Sequence, residues 1–324
     1  MSVQNANYTV LALDHTGGAK VLASIDGLFP IHEDSDSLTW IQCNKNDQTP
    51  QFLANLKMIP NGVIDVLCAG ETRPRSLTLA DAFVGVFRTV SAEAESSSKD
   101  DTTSFRIFIN KNLIVTIQEC PLLGMDRIKQ SLQANIGPKT AAECLRSVLD
   151  AISDRVAEVI TSWDTALDEL ENSNAATASS QATLTQLQKR IVTLRRYLIP
   201  QREAFSRIET KHLSWFDAES QDNLREISES MIRLVEDLEA EKERAELVQG
   251  TISAQSQQDT NQRMYFLSVV AAIFLPITFA TGLLGVNLAG IPFASMPWAF
   301  PAFCLTLTCI AGAAAIYLRR RRWF

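Results

Sequence analysis

The longest uncharged stretch of this chain constrains its fold more than any other feature. No Asp, Glu, Lys or Arg occurs in the 55 residues 264–318, which lie between Arg263 and Arg319. The hydrocarbon core of a bilayer is about 30 Å thick, and a helix needs about 20 apolar residues to cross it. The stretch therefore has room for two crossings with a short connection, which Gly285 and Pro292 mark. The sequence predicts a C-terminal membrane hairpin that carries a large water-soluble domain.

The basic residues next to this stretch predict its orientation. Four consecutive arginines, residues 319–322, follow the second crossing. Lys and Arg concentrate on the cytoplasmic side of membrane proteins, so the C-terminus is expected in the cytoplasm. An even number of spans places the N-terminal domain on the same side. Both termini are then cytoplasmic, and the outer loop 287–297 faces the opposite side.

The remaining charges restrict the classes of function. Residues 1–262 contain 25 basic and 37 acidic side chains. A nucleic-acid-binding surface needs a basic footprint, so this balance argues against a nucleic-acid partner and suits a protein that handles cations. The sequence has no phosphate-binding loop, no H-E-x-x-H and no G-x-S-x-G, and its six cysteines form no C-x-x-C pair. We therefore predict neither an enzyme nor a bound cofactor.

The pattern of apolar residues changes from short runs to helical periods near residue 139. Before it, strand-like runs at 8–13, 38–43, 63–68, 82–90, 105–110 and 113–118 predict an α/β domain. After it, helices are expected at 141–171 and 183–207, with Pro200 a point of interruption in the second. The predicted parts are an α/β domain (1–138), a helical hairpin (139–217), a stalk helix (218–263), a first span (264–286), an outer loop (287–297), a second span (298–318) and a basic tail (319–324).

A third helical pattern predicts a single long helix, residues 219–284. Apolar residues recur at alternating three- and four-residue steps from Leu224 to Ile252, with Glu241 as the one charged residue in this register. A helix of this length would measure about 100 Å, and its apolar stripe must be buried against partners. This favours an oligomer.

One face of the first span combines small, apolar and hydroxyl side chains. Helical steps back from Asn287 give Gly282, Thr278, Leu275, Ala271, Leu267, Met264 and Asn261. A ring of such helices would form a narrow pore with apolar constrictions and polar ends. Two simpler interpretations remain open: Asn287 could cap the helix end, and Thr278 could bond a preceding carbonyl.

Short motifs around the first span and in the N-terminal part form a recognisable set. They are Gly285-Val286-Asn287, Asn261-Gln262-Arg263-Met264, Phe274-Leu275-Pro276-Ile277-Thr278, Glu71-Thr72-Arg73-Pro74-Arg75 and Arg195-Arg196-Tyr197-Leu198-Ile199-Pro200. These motifs resemble the CorA divalent-cation transporter family. The family hallmark is Gly-Met-Asn after the first span, and the Gly-Val-Asn of this chain resembles the zinc-transporter (ZntB-like) branch.

This resemblance implies a funnel-shaped homopentamer in the bacterial inner membrane, with the five first spans around a central pore. Asn287 of each subunit would then meet a hydrated cation at the outer mouth, beside Gly285 and Val286. The implied cargo is Zn²⁺, with Co²⁺, Ni²⁺, Cd²⁺ and Mg²⁺ as further candidates. The implied process is uptake coupled to protons.

Three alternatives remain. The first is a magnesium-, cobalt- or nickel-conducting relative, although the outer loop lacks the acidic residue that magnesium-type members often have. The second is zinc efflux. The third is a membrane-tethered sensor whose hairpin only anchors and oligomerises the α/β domain, in which case Asn287 would have no effect on ion flux.

Overall fold

The computed structural model describes residues 8–22, 38–70, 73–91, 102–173, 177–208, 210, 212–285 and 296–320. The chain divides into two compact units, Met1–Gln249 and Gly250–Phe324. The boundary lies within one helix, so each unit is considered by itself.

The first unit is built on a seven-stranded sheet of order β2-β1-β3-β7-β6-β5-β4. Only β3 and β7 pair in parallel, and the other neighbours are antiparallel. The strands are β1 (Tyr8–Leu13), β2 (Ala19–Leu22), β3 (Leu38–Asn44), β4 (Arg75–Leu79), β5 (Ala82–Val90), β6 (Thr102–Ile109) and β7 (Leu113–Gln118). Five of the six predicted strands are therefore confirmed.

The predicted strand at 63–68 is wrong, because this segment is helix α2 (Asn61–Cys68), which follows α1 (Thr49–Asn55). A short apolar run does not distinguish a strand from a buried helix. Pro60 at the N-cap starts the helix, and Val63, Ile64 and Leu67 are buried at helical spacing. Both helices pack on one face of the sheet and complete a core with strand residues such as Ile41, Phe108 and Val115.

The opposite face of the sheet is covered by longer helices. These are α3 (Leu123–Gln133), α4 (Ala141–Asn172) and α5 (Ala178–Ser206), and α5 continues through Pro200 without interruption. The Phe87 ring, which points away from the α1–α2 side, meets Phe205 of α5 edge-on at a centroid distance of 5.1 Å. Alternation of apolar side chains along β5 thus joins two helical layers to a single sheet.

Helix α6 (Ala218–Leu284) is the single long helix that the sequence predicts at residues 219–284. The predicted apolar series is buried throughout: Leu224, Ile227, Met231, Leu234, Leu238, Ala245, Val248 and Ile252. Within the first unit, polar contacts fix this helix to both α4 and α5. Arg195 of α5 donates to Glu239, and Gln188 of α5 donates to the Ala245 carbonyl at 3.3 Å.

An ion-pair network holds α6 against α4. The Arg244 guanidinium contacts Asp164, Asp168 and Glu171, so one cation serves three carboxylates. Glu241 lies one turn away in the apolar register, and its Oε2 atom is shielded from solvent without a hydrogen-bond partner among the described residues. Burial, followed by the negative charge of Asp164, raises the pKa of Glu241 above its ordinary value of 4.5.

The second unit contains the C-terminal part of α6 and helix α7 (Ala299–Arg320). The part of the chain that the structure describes has one helix, α6, that is long and apolar enough to cross a membrane, with a mean hydropathy of 2.2 in its most apolar window. The apolar part of α7, Ala299–Ala314, is shorter than the apolar part of a helix that crosses a membrane. These two helices cover most of the predicted spans 264–286 and 298–318.

We expect Glu241→Gln to stabilise the protein above pH 6. A carboxyl group whose folded-state pKa is raised destabilises the fold when ionised, and this penalty disappears as the pH falls through that pKa. The neutral amide should raise the Tm by about 2 °C at pH 7.5, and the gain should shrink towards pH 4.5. Thermal unfolding of the detergent-solubilised protein would measure both values.

The matched control is Glu243→Gln, which alters an exposed residue two positions away on the same helix. Its effect should be small at both pH values. An equal Tm gain in the two variants, or a loss of stability in Glu241→Gln, would contradict the interpretation of Glu241 as an uncompensated carboxylate.

Candidate functional site

The candidate site lies along the C-terminal part of α6, from Asn261 to Gly285. No charged residue interrupts this segment after Arg263, and the helix continues through Pro276 to Leu284. Pro276 has no N–H group, so the helical hydrogen bond to the Ala272 carbonyl is missing. At the end of the helix, the Gly285 N–H donates to the Thr281 carbonyl at 2.9 Å.

Two faces of this segment have different surroundings within the protomer. One face is shielded, fully at Val269 and partly at Val270, Ile273, Ile277 and Ala280. The described residues of the predicted stripe are all exposed: Asn261, Met264, Leu267, Ala271, Leu275, Thr278 and Gly282. Among its large apolar members, 64% of Met264, 68% of Leu267 and 70% of Leu275 remains accessible. The protomer therefore leaves the stripe available to other molecules.

The Thr278 hydroxyl distinguishes this stripe from an ordinary apolar helix face. Ser268 and Thr281 donate their hydroxyl protons to carbonyls of the preceding turn at 2.9–3.1 Å. Thr306 and Thr308 of α7 do the same. The Thr278 hydroxyl, by contrast, makes no hydrogen bond with any residue that the structure describes. Lipid cannot supply a partner, so this group requires water or a neighbouring protein chain.

The N-terminal end of the stripe is rich in amides. Gln257 Nε2 donates to Asn261 Oδ1 at 3.4 Å, and Gln258 and Gln262 lie beside them on the exposed surface of the helix. The stripe predicted from the sequence ends at Asn261 and does not include Gln257. One further helical step of four residues reaches Gln257, so the same spacing rule would have included it.

The outer end of the stripe is only partly described. Gly285 closes α6, whereas Val286 and Asn287 lie outside the described residues. In the described ranges, no cluster of three or more His, Cys, Asp or Glu side chains is arranged to hold a metal ion. The segment can thus present amides, a hydroxyl and apolar side chains to an ion, which suits contact with a hydrated cation.

The family model described as "CorA-like Mg2+ transporter protein" matches residues 35–320. This match covers most of the α/β unit, from before β3 onward, and the candidate site. The chain belongs to the CorA family. The proteins of this family are transporters rather than enzymes, which agrees with the absence of catalytic motifs in the sequence.

Curated CorA relatives extend over nearly the whole chain. The "Zinc transport protein ZntB" of Pectobacterium carotovorum subsp. carotovorum (strain PC1) is 30% identical over 319 residues, covering 96% of this chain and 97% of the relative. The protein of the same name from Enterobacter sp. (strain 638) is 29% identical, with 96% and 94% coverage. These relatives support assignment to the ZntB branch of the family.

Solved structures support the same fold. The full-length CmaX protein has a TM-score of 0.79 at 28% identity and covers 97% of each chain. The CorA magnesium transporter of Methanocaldococcus jannaschii has the same TM-score at 19% identity, covering 97% of this chain and 98% of its own. The ZntB cytoplasmic domain of Vibrio parahaemolyticus RIMD 2210633 covers 78% of this chain and 99% of its own, with a TM-score of 0.66. The α/β domain with a long C-terminal helix is therefore confirmed.

We expect Thr278→Val to reduce metal-ion flux in proteoliposomes about tenfold. The substitution keeps the branched shape but removes the hydroxyl, and one hydrogen bond to an ion's hydration shell corresponds to about that factor. Thr278→Ser, which keeps the hydroxyl, should retain most of the flux.

Thr308→Val is the matched control, because the Thr308 hydroxyl already donates to the Cys304 carbonyl at 2.9 Å. Equal flux loss in the two valine variants would indicate a general effect of removing hydroxyls from apolar helices. It would contradict a specific role for the stripe.

Proposed function

We propose that this protein is the subunit of a homopentameric zinc transporter whose central pore is lined by the exposed stripe of α6. The observation that carries the proposal is the Thr278 hydroxyl, which has no partner within the described protomer and lies in helical phase with Ala271 and Gly285. Five copies around an axis would place these hydroxyls on a common water-filled path.

The distribution of shielded and exposed residues fits this assembly. The α7 face that includes Phe303, Leu307 and Ala311 is partly shielded, as is the face of α6 opposite the stripe. Two spans of a hairpin that pack together would produce this pattern. The stripe then remains for contacts around the pore, and small residues such as Ala271 and Gly282 permit close approach of neighbouring helices.

The chemistry of the stripe suits passage of a hydrated cation. Amide side chains at its two ends, Asn261 and Asn287, would hydrogen-bond the water molecules around the ion without removing them. Met264, Leu267 and Leu275 would form apolar constrictions in the pore. A constriction of this kind blocks ions when it is narrow and empty of water, and it conducts when it widens and fills with water. Together with Val286 and Gly285, Asn287 would form the selective outer mouth.

The branch of the family suggests the cargo and the energy source. The relatives of about 30% identity are named as zinc transport proteins, and we propose Zn²⁺ uptake driven with protons. No carboxylate or imidazole lies between residues 264 and 318, so the proton would move with water or through groups outside this segment. The membrane potential adds about 2.3 kcal/mol per charge per 100 mV in favour of cation uptake.

The expected location follows from the charge distribution. An inner-membrane protein with two spans and both termini in the cytoplasm would have the acidic residues of the first unit on the cytoplasmic side. Their negative charge would raise the concentration of cations near that unit.

A magnesium-, cobalt- or nickel-conducting channel is the second candidate. The family description names Mg²⁺, and the fold is shared with a CorA magnesium transporter. We favour the zinc transporter over this second candidate for two reasons. The relatives of higher identity are named as zinc transport proteins, and the outer loop has no acidic side chain. Cobalt, nickel and cadmium are further ions of similar charge to test.

The proposal is tested by reconstituting the purified protein in liposomes that contain a zinc-sensitive fluorophore. Zn²⁺ influx should rise when the outside is made more acidic than the lumen, and Asn287→Ala should reduce it at least tenfold. Asn287→Gln, which keeps the amide, should be less severe.

The outcomes separate the candidates. Mg²⁺ or Co²⁺ flux without Zn²⁺ flux would favour the second candidate, and zinc flux that ignores the pH gradient would remove proton coupling. A protein that moves none of these cations would instead support the membrane-tethered sensor and contradict the proposed pore.

A further inference from the structure

Two guanidinium groups lie against the Tyr197 ring in the first unit. The Cζ atom of Arg88, on β5, is 4.6 Å from the ring centroid, and the Cζ atom of Arg196, on α5, is 4.8 Å from it. Arg196 Nη2 also donates to the Tyr197 hydroxyl at 2.8 Å. Each contact is favourable by itself, because a cation is attracted to the face of an aromatic ring. Together they hold two like charges close to one ring.

Neither charge is neutralised by a carboxylate of the described residues. Arg195, the neighbour of Arg196, forms an ion pair with Glu239, whereas no described Asp or Glu lies within ion-pair distance of Arg88 or Arg196. The surrounding unit is acidic, since residues 1–262 contain 37 acidic and 25 basic side chains. Two unneutralised cations at one place in such a unit favour an anionic partner.

Donor groups without an acceptor lie at the same place. The Gln201 side chain is 1% exposed, and its Oε1 accepts from the Arg88 backbone N–H at 2.6 Å. Its Nε2 and the Nε of Arg88 are both shielded from solvent, and neither has an acceptor in the described part of the chain. Buried donors nearly always have a partner in protein, water or a bound ion. These groups therefore require an acceptor that the described residues do not supply.

The cluster of Arg88, Arg196, Tyr197 and Gln201 lies where a molecule from solution can reach it. Strand β4 pairs with β5 only as far as Val86, so β5 continues past the end of its neighbour before it reaches Arg88. Gln201 follows Tyr197 by one turn on the same face of α5. Arg196 is exposed, and Arg88 and Tyr197 are partly exposed.

We propose that this cluster binds a phosphate group, either as inorganic phosphate or as the phosphate of a small organic molecule. A planar guanidinium binds phosphate oxygens through paired hydrogen bonds, and Arg88 and Arg196 provide two such groups. The Tyr197 hydroxyl, which already accepts from Arg196, and Gln201 Nε2 supply further donors. The site is separate from the metal path and does not depend on the proposed zinc transport.

A bound phosphate would join the sheet to the helical layer, because Arg88 belongs to β5 and Arg196 to α5. Helix α5 also holds the first part of α6, through Arg195 and Gln188. Binding should therefore stabilise this part of the fold, since a ligand that binds only the folded state adds its binding free energy to stability.

The test is calorimetric titration of the full-length protein in detergent with sodium phosphate, in a phosphate-free buffer of constant ionic strength. We expect saturable binding of one phosphate per chain and a rise in Tm with phosphate concentration, whereas sodium chloride should produce neither. Adenosine 5′-monophosphate distinguishes the two sources of the phosphate group. Tighter binding than inorganic phosphate would identify an organic phosphate as the ligand, and weaker binding would identify inorganic phosphate.

Three variants locate the site. Arg196→Gln should weaken phosphate binding at least tenfold, and Arg196→Lys should fall in between, because lysine keeps the charge without the planar fork. Tyr197→Phe keeps the ring and removes one donor, so it should weaken binding about fivefold. The Tm of each variant without phosphate establishes that it is folded.

Arg207→Gln is the matched control. Arg207 directly follows α5, its side chain is 78% exposed, and its guanidinium lies 3.8 Å from the Glu203 carboxylate. This substitution removes the same charge from the protein and should leave phosphate affinity unchanged.

Three results would overturn the proposal. The first is no saturable binding of phosphate to the wild-type protein, which would mean that water alone satisfies these donors. The second is an equal response to chloride, and the third is an equal loss of affinity in Arg196→Gln and Arg207→Gln, which would indicate diffuse attraction to positive charge. None of them bears on metal transport, so the phosphate site and the pore can fail independently.

Discussion

A polar group inside a lipid bilayer must find a hydrogen-bond partner in protein or water, and this requirement organises the C-terminal part of the chain. Ser268, Thr281, Thr306 and Thr308 meet it within their own helices. Among the described residues the Thr278 hydroxyl has no partner, and Pro276 removes a backbone donor two residues earlier. Neighbouring copies of the chain or a water-filled path would supply a partner for this hydroxyl, and the proposed pore is one arrangement that does so.

In the first unit, packing and ion pairs hold α6 in place, and the stability of this arrangement depends on the charges of Arg244 and Glu241. Apolar residues at heptad-like spacing bury one side of the helix, and Arg244 joins it to three carboxylates of α4. Glu241 occupies an apolar position in the same register, and burial, followed by the negative charge of Asp164, raises its pKa in spite of the opposing charge of Arg244. The first part of the helix is thus held by packing and by two cations, Arg244 with the carboxylates of α4 and Arg195 of α5 with Glu239. An uncompensated carboxylate in such a position lowers stability at neutral pH and makes it pH-dependent.

The sequence was sufficient to predict the elements with strong periodic patterns. The spacing of Leu224 to Ile252 predicted α6, and its start at Ala218 and end at Leu284 were within one residue of the predicted bounds. The sequence was insufficient for short elements. Helix α2 was predicted as a strand, and α1, α3, β2 and β4 were missed. The reason is that a short run of apolar residues fits the period of a helix and the period of a strand equally well. The stripe was predicted from helical phase alone and stays a prediction, because residues outside it, such as Phe266, Phe274 and Phe279, are equally exposed. The cluster around Tyr197 could not be predicted, because Arg88 of β5 and Gln201 of α5 are brought together only by tertiary packing.

The most direct test of the central claim is the accessibility of α6 to a charged, membrane-impermeant thiol reagent during metal flux. Leu275→Cys places a thiol on the stripe and Ile273→Cys places one on the shielded face, in a background in which the exposed Cys304 and Cys309 are replaced. The account predicts that the reagent reduces flux at least tenfold in Leu275→Cys and leaves Ile273→Cys unchanged. Equal sensitivity of the two variants, or inhibition of Ile273→Cys alone, would contradict a pore lined by this face of the helix.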